Sequence, residues 1–243
     1  MALKVLILGD SHTRAISKAS EINGPCINGV DFEIIWVNFR NTPDARGDMP
    51  FDQALDRVSG LNQPDLVVIS ILGTFHNRFS LVQHELPFDF IMPGEDYMPV
   101  EGTVLVPYNT VYDEMKSFLQ RNRSIVKIRD RAPCRVSHIS TPPPKQDNEF
   151  IRERVKKYRD KIVDETGISA PGLRLKAWKL EARALGEFCS ERGVIFVPAP
   201  GTCCDTEGFL KEEYYAQDAT HANELYGRLV MQQLSELARN RDP

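Results

Sequence analysis

Residues 3–12 read LKVLILGDSH, and this stretch decides the fold. The first six are Leu, Val and Ile apart from Lys4, as in a strand buried within a parallel sheet. Gly9 ends the apolar run and predicts a turn, so we expect Ser11 just beyond the strand's carboxyl end. Ligands of open α/β sheets bind at that edge. The sequence therefore predicts a first strand that delivers a serine to the functional edge of a sheet.

Four further segments have the same short, Val- and Ile-rich character, namely residues 32–37, 65–71, 135–139 and 194–197. Between them lie stretches with helical spacing, at about residues 12–20, 51–60, 110–123, 148–165, 172–192 and 222–239. This alternation predicts an α/β fold of flavodoxin-like type, a three-layer α/β/α sandwich with a five-stranded parallel sheet and right-handed crossovers. We expect residues 1–243 to form a single domain, because this length suits one substantial core.

Residues 78–107 fit neither periodicity and interleave aromatic residues with Pro and Gly. A structureless stretch of this length is uncommon and is usually functional or locally folded. Because it leaves directly from the third predicted strand, we predict an insertion that lies over the active edge. The alternative is a surface excursion that packs only on itself. Its aromatic residues could stack on a substrate or fill the insertion's own core; they include Phe79, Phe88, Phe90 and Tyr97.

Composition is that of an ordinary globular protein, with 42% hydrophobic and 26% charged residues. The net charge is -4 and no basic block is present, which gives no case for nucleic-acid binding. The first apolar run is too short to span a membrane, so we expect neither a signal peptide nor a membrane anchor. Five scattered cysteines without CxxC spacing favour reduced thiols in a cytoplasmic protein.

A second chemical motif lies near the end of the chain, where Asp218 precedes His221 by three residues. Ser11 becomes nucleophilic only if a base removes its proton, and that base needs an orienting acceptor. We predict His221 as the base and Asp218 as its partner, which makes a Ser-His-Asp catalytic triad. The alternative is that Asp218 and Thr220 merely compete to cap the helix that follows.

Acyl transfer also needs hydrogen-bond donors around the developing oxyanion. The backbone N–H of Ser11, at the start of a helix, is a natural first donor. Gly47, after the second predicted strand, is the best candidate for a second, although an ordinary turn glycine explains it equally well. A side-chain amide after the third strand would be the third donor, and the sequence there is GTFHN, residues 73–77.

These blocks resemble the SGNH (GDSL-type) hydrolase superfamily, named for its Ser, Gly, Asn and His. The resemblance covers the framework of the whole chain. Gly9-Asp10-Ser11 and Asp218-x-x-His221 carry it most specifically, with His12 in place of the more usual leucine. The resemblance implies an ester hydrolase that requires no cofactor and no metal, but it does not identify the ester.

The middle block departs from the family pattern. The family places its oxyanion asparagine two residues after the glycine, and here that position is Phe75, which cannot donate. Three alternatives stay open for this donor. Asn77 takes the role through a longer turn, Thr74 takes it instead, or the oxyanion hole has backbone donors alone. For Asn77 to serve, the turn must fold back towards Ser11 with Phe75 directed into the core.

Three further residues are candidates for substrate contact. His76, beside Asn77, and His12 are predicted to line the pocket and bind substrate. Arg14, one turn after Ser11, could face an anionic substrate or be a solvated helix residue. We expect the substrate to be a small-molecule or carbohydrate ester, with a short acyl group such as acetyl on a polar or sugar-like alcohol.

Other functions share parts of this pattern. Asp10-x-His12 and His76-Asn77 resemble the first and middle ligand sets of binuclear metallophosphoesterases, although that family's Gly-Asp-x-x-Asp block and late His-x-His pair are missing. Phe75 at the asparagine position keeps open a non-hydrolytic glycan-binding domain. Acyl transfer to a sugar would use the same triad as hydrolysis, and the sequence does not separate the two.

Overall fold

The structure is a computed structural model that describes residues 3–39, 46–62, 65–94 and 98–240, without the side chains of residues 156–161. Its strands are β1 Leu3–Gly9, β2 Cys26–Ile27, β3 Val30–Asn38, β4 Met49–Pro50, β5 Leu66–Ser70, β6 Phe88–Asp89, β7 Val104–Leu105, β8 Arg135–Ile139 and β9 Ile195–Val197. Its α-helices are α1 Thr13–Asn23, α2 Phe51–Ser59, α3 Asn77–Ser80, α4 Tyr108–Arg121, α5 Ser124–Arg131, α6 Asn148–Thr166, α7 Pro171–Ser190 and α8 Glu224–Arg239.

The main sheet has the strand order β2-β3-β1-β5-β8-β9, and β4 pairs with the end of β3. The five strands from β3 to β9 in that order are mutually parallel. These are the five predicted strands, and the parallel sheet is confirmed. Their order, 2-1-3-4-5 by position in the chain, is the flavodoxin-like one. The short antiparallel β2, which the sequence did not indicate, covers the outer edge of β3.

Two apolar layers enclose the sheet, and β1 shows how the sequence builds them. Val5 and Ile7 pack with the buried faces of α1 and α8. Leu6 and Leu8 point the other way, into a core shared with α2, α4, α5 and α7. Because successive side chains of a strand alternate between faces, an unbroken apolar run supplies both layers at once. The predicted three-layer sandwich is therefore confirmed.

The helix α5 is the main element that periodicity did not predict. Its sequence SIVKIRDR carries four charged residues in eight, and Ile125 and Ile128 are its buried members. A stripe that narrow gives too weak a helical signal to read. The six helices that were predicted are all present, with shifted ends.

Two glycines let the elements that carry the site approach closely. A Cβ at Gly9 would lie 2.6 Å from the Ser70 carbonyl oxygen of the neighbouring strand. A Cβ at Gly227, in the first turns of α8, would overlap the Ala15 carbonyl of α1. The close contact between α1 and α8 therefore brings the segment before α8 next to the segment before α1.

The described part of the segment 78–107 packs on the sandwich. Phe90 and Met92 are buried in the core of the α7 layer, and β6 pairs with β7. Asp89 forms a buried ion pair with Lys176 of α7. Among the described residues of this segment, Leu81 lines a cleft that also contains Ser11. Tyr97 lies outside the described residues.

No helix in the described part of the chain is long and apolar enough to cross a membrane.

Candidate active site

Ser11 lies in the tight turn between β1 and α1. The Asp10 N–H donates to the Ser70 carbonyl at 3.0 Å, which continues the sheet pairing by one residue. The Thr13 N–H and hydroxyl both donate to the Asp10 carbonyl, at 3.1 and 2.6 Å. These bonds fix the chain direction on either side of Ser11, so its side chain emerges at the carboxyl edge of the sheet.

His221 and Asp218 face Ser11 from the segment before α8. The Ser11 Oγ and the His221 Nε2 are 2.8 Å apart. The His221 Nδ1 and the Asp218 Oδ2 are 3.0 Å apart. A carboxylate only accepts, so Nδ1 carries the proton and Nε2 is left as the acceptor for the serine hydroxyl. The sequence-predicted residues therefore stand in the order of hydrogen bonds that activates a serine.

Asp218 is fixed by its own loop. Its Oδ1 accepts the N–H groups of Thr220 and His221, at 2.9 and 2.7 Å. Burial disfavours its charge, but the bonds from His221 and the loop outweigh burial and hold the pKa of Asp218 well below its usual range. Asp218 is therefore an ionised acceptor. The helix that follows is capped instead by Asn223, whose side chain accepts the N–H groups of Leu225 and Tyr226.

A buried lysine that sequence reasoning missed supports this loop. The Lys145 Nζ donates to the Ala216 carbonyl at 2.8 Å and also to the Asp218 carbonyl. The Nζ also lies 4.6 and 4.8 Å from the ring centroids of Phe150 and Tyr215. Burial lowers the pKa of Lys145 to about 8. Lys145 follows the fourth predicted strand, β8, where Pro142–Pro144 lead the chain along the active edge. This position is the one signal in the sequence that could have identified Lys145.

The turn after β5 is held by Glu181 of α7. This buried carboxylate accepts the N–H groups of Phe75 and His76, at 3.0 and 2.9 Å, and its Oε2 lies 2.6 Å from the His76 Nδ1. Phe75 stacks on Phe118 with ring centroids 4.2 Å apart. Phe75, at the position where the family has its asparagine, thus packs against another aromatic ring. The turn continues to Asn77, the first residue of α3.

His12, His76 and Asn77 line a small pocket adjoining the triad, together with Thr141 and Thr220. The His12 ring packs on His221 with centroids 4.5 Å apart. Burial, and then the neighbouring His221, lower the pKa of His12, which favours a neutral ring. His12 therefore packs directly on His221, and its predicted contact with substrate stays a prediction, as does that of His76.

The other oxyanion candidates lie at the same edge of the sheet. Gly47 has φ 144°, and a Cβ there would lie 2.7 Å from the Asn38 N. It lies beside Arg46, which with Trp36 lines a cleft shared with Ser11. Thr74 uses its carbonyl to accept the Asn77 N–H at 3.2 Å. The roles of Ser11 N–H, Gly47, Asn77 and Thr74 at an oxyanion remain predictions.

The possible metal ligands are engaged elsewhere. Asp10 accepts the N–H groups of His12 and Leu72, at 3.2 and 3.3 Å. His76 is bound to Glu181. Among the described residues, no group of three or more His, Cys, Asp or Glu side chains is arranged to hold a metal ion. This arrangement gives the metallophosphoesterase alternative no support.

Two open clefts meet at Ser11 and His221. One, of about 410 Å³, is lined on its far side by Lys18, Tyr215 and Glu224. The other, of about 470 Å³, is lined by Trp36, Leu81 and three arginines. Because Ser11 and His221 line both clefts, a molecule in either one would lie beside them.

Comparison with known proteins bears on the fold. No protein-family model and no curated protein matches the sequence. The periplasmic domain of a lipopolysaccharide acetyltransferase from Salmonella ser. Paratyphi A is similar, with a TM-score of 0.50 and 13% identity over 98% of this chain and 84% of that one.

Two further solved structures are similar at 13% identity. One is a carbohydrate acetylesterase family member from Sinorhizobium meliloti. The alignment with it covers 98% of this chain and 97% of that one, with a TM-score of 0.49. The other is a GDSL-like lipase from Bacteroides thetaiotaomicron. The alignment with it covers 97% of this chain and 87% of that one, with a TM-score of 0.43. At these identities the likeness concerns the fold. The shared fold is the three-layer α/β/α sandwich with a flavodoxin-like strand order.

Proposed function

We propose that this protein is a serine ester hydrolase that uses Ser11, His221 and Asp218 as a catalytic triad. The observation that carries the proposal is the continuous chain of hydrogen bonds, 2.8 Å from Ser11 to His221 and 3.0 Å from His221 to Asp218, at the meeting point of two clefts. Helix capping does not require this arrangement, because Asn223 already caps α8.

In the proposed reaction the Ser11 Oγ attacks the ester carbonyl while the His221 Nε2 accepts its proton. The tetrahedral intermediate collapses to an acyl-enzyme, and His221 returns the proton to the departing alcohol. Water then attacks the acyl group, with His221 again accepting and returning a proton, and the acid leaves. The oxyanion would be stabilised by the N–H groups of Ser11 and Gly47 and by the Asn77 amide.

The proposed substrate is a short-chain acyl ester, including acetyl, of a polar or sugar-like alcohol. Support comes from the open cleft of about 410 Å³, whose lining is mainly polar and includes Lys18, Gln217 and Glu224. Such a surface binds hydroxyl-rich groups through hydrogen bonds. A strong preference for long-chain esters would contradict this substrate class.

The direct test is turnover of a short-chain chromogenic ester by purified variants. Ser11→Ala, His221→Ala and the double variant should each lose nearly all activity and to a similar extent, because members of a triad act as a unit. Ser17→Ala is the matched control, since Ser17 lies on α1 and bonds only to the surface residue Glu21 among described side chains. Full activity in Ser11→Ala would refute the triad. An inactive wild type would favour a glycan-binding domain.

A further inference from the structure

Three arginines from separate parts of the chain line the cleft of about 470 Å³ beside Ser11. Arg14 comes from α1, Arg46 from the segment between β3 and β4, and Arg154 from α6. We call them the arginine cluster. The same cleft contains Ser11 and His221, so a group bound by the cluster would lie within one small molecule's length of the nucleophile.

The charge of the cluster is not balanced along this cleft. Asp218 is the carboxylate in the described lining, and it is already bound to His221 and its own loop. Within the described residues, no ion pair involves Arg14 or Arg46. The cleft of about 410 Å³ differs, because its lining has Asp218 and Glu224 beside Arg14 and Lys18. The described lining therefore has an excess of positive charge only in the cleft of about 470 Å³.

Arg14 and Arg154 are oriented by contacts that leave much of their charge available. The Arg14 guanidinium lies 5.4 Å from the centroid of Trp36. Arg154 donates to the Phe150 carbonyl at 3.0 Å, and its Nε is buried with no hydrogen-bond partner. Its ion pair with Glu153 is at 3.2 Å, but that carboxylate is 74% exposed, so the pair neutralises little.

Like charges repel, and a chain of net charge -4 has enough carboxylates to intersperse among its arginines. The cleft instead gathers three guanidinium groups, the side chain best suited to bidentate recognition of planar or tetrahedral anions. An anionic ligand would relieve this repulsion.

We propose that the ester cleaved at Ser11 carries an anionic group, a carboxylate, phosphate or sulfate, which the arginine cluster binds. This inference rests on the proposed ester hydrolase function and narrows its substrate class. The anionic group can belong to the alcohol or to the acyl part, because the reacting carbonyl lies between the two and either part can extend into this cleft. Binding there would also orient the carbonyl for attack.

Two pairs of small esters test the inference and locate the charge. In the first pair, 4-acetoxybenzoate and 4-acetoxybenzamide differ in charge on the alcohol. In the second, phenyl hydrogen succinate and phenyl succinamate differ in charge on the acyl part. For each pair the measured quantity is kcat/KM for the anionic ester divided by kcat/KM for the neutral one, which cancels losses common to both.

The pair that places the charge on the part bound by the cluster should respond. In that pair, Arg14→Gln and Arg154→Gln should each lower the ratio about tenfold, as expected for loss of a hydrogen-bonded ionic contact that is partly exposed. Arg154→Lys should lose less, because it keeps the charge but not the planar fork. Added salt should lower the wild-type ratio. Arg57→Gln is the matched control, because Arg57 is an exposed arginine of α2 that pairs with Glu33.

Unchanged ratios in both pairs, with an active enzyme, would overturn the inference and leave the hydrolase intact. If no ester is cleaved, the hydrolase proposal fails, and titration calorimetry on Ser11→Ala decides the inference alone. Tighter binding of 4-acetoxybenzoate than of 4-acetoxybenzamide, weakened about tenfold by Arg154→Gln, would then support it. Equal binding of the two compounds, or no effect of Arg154→Gln, would overturn it.

Discussion

At the scale of single residues, Asp218 determines the geometry of the site. Its two oxygens take two backbone N–H groups and the His221 ring within a four-residue loop. The loop therefore holds the imidazole even without substrate, and the ring needs only to be brought opposite Ser11. A catalytic base fixed in this way loses little conformational freedom when it reacts.

A first prediction at this scale concerns the third oxyanion donor. Asn77→Ala should lower kcat about a hundredfold or more with little change in KM, because one oxyanion donor contributes roughly 3 kcal/mol in the transition state. Thr74→Ala is the matched comparison from the same turn, and its kcat should be near that of the wild type. Steady-state kinetics on a short-chain ester measure both. The reverse result would assign the donor to Thr74, and two active variants would leave backbone donors alone.

A second prediction concerns Asp10, the residue before the nucleophile. Burial raises the pKa of Asp10 to about 6 despite bonds from the His12 and Leu72 N–H groups. The folded state then binds its proton more tightly than the unfolded state does. The contribution of Asp10 to the free energy of unfolding is thus full below about pH 4 and is lost as the pH rises through about 6.

Urea unfolding of wild-type protein and Asp10→Asn at a series of pH values checks this. The stability of the wild type relative to the variant should fall between about pH 4 and 6, by a few kcal/mol at most, since one pKa unit corresponds to about 1.4 kcal/mol. Asp52→Asn, which replaces an exposed carboxylate of α2, should show no such fall. A constant difference between wild type and Asp10→Asn would refute the raised pKa.

The residues that the sequence could predict are those whose partners are set by local spacing or by a strand end. Ser11 follows a recognisable buried strand, and Asp218 and His221 are three residues apart, so the sequence could predict that the three residues meet. Lys145 and Glu181 act across long separations, Lys145 on residues 216 and 218 and Glu181 on residues 75 and 76. Only the folded chain reveals such partners.

At the scale of elements, α7 is the support of the whole active edge. Glu181 holds the turn after β5, and Arg174 donates to the carbonyls of Lys145 and Gln146, both at 3.0 Å. Lys176 bonds to Asp89 and to the Phe90 carbonyl. One buried helix thus positions three separate loops, although its sequence indicated only an amphipathic helix.

We predict that Glu181 is a positioning residue for the turn that carries His76 and Asn77. Glu181→Gln keeps the shape but offers one oxygen to three donors, so the turn should loosen and kcat should fall, with KM nearly unchanged. Glu187→Gln is the matched control on the same helix, where Glu187 pairs with the exposed Arg183. Equal kcat values for Glu181→Gln and the control would show that the turn does not depend on this carboxylate.

The sheet could be predicted from sequence because each parallel strand is a short, continuous apolar run buried on both faces. The edges of the fold could not. The strand β2 has only two residues, and Ile125 and Ile128 are the buried residues of α5. Neither element is therefore visible as a periodic pattern in the sequence. These pieces form because the rest of the sandwich is already in place beside them.

At the scale of the whole molecule, residues 78–107 are held to the sandwich by a buried charge pair. Asp89 and Lys176 have side chains 1% and 3% exposed. Replacing one partner of a buried pair leaves an uncompensated charge, so Asp89→Asn should lower the free energy of unfolding by about 3–5 kcal/mol. Glu85→Gln, an exposed carboxylate of the same segment, is the control. An unchanged urea midpoint for Asp89→Asn would show that the pair does not anchor the segment.

The central claim is that Ser11 is a nucleophile activated by His221, and a single labelling measurement tests it most directly. The protein is treated with a fluorophosphonate, which reacts far faster with an activated serine than with an ordinary one, and is then examined by intact mass spectrometry and peptide mapping. The account predicts one adduct on the peptide that contains Ser11, absent in Ser11→Ala and formed far more slowly in His221→Ala. An adduct on another residue, or an unlabelled Ser11 in a protein that hydrolyses esters, would contradict it.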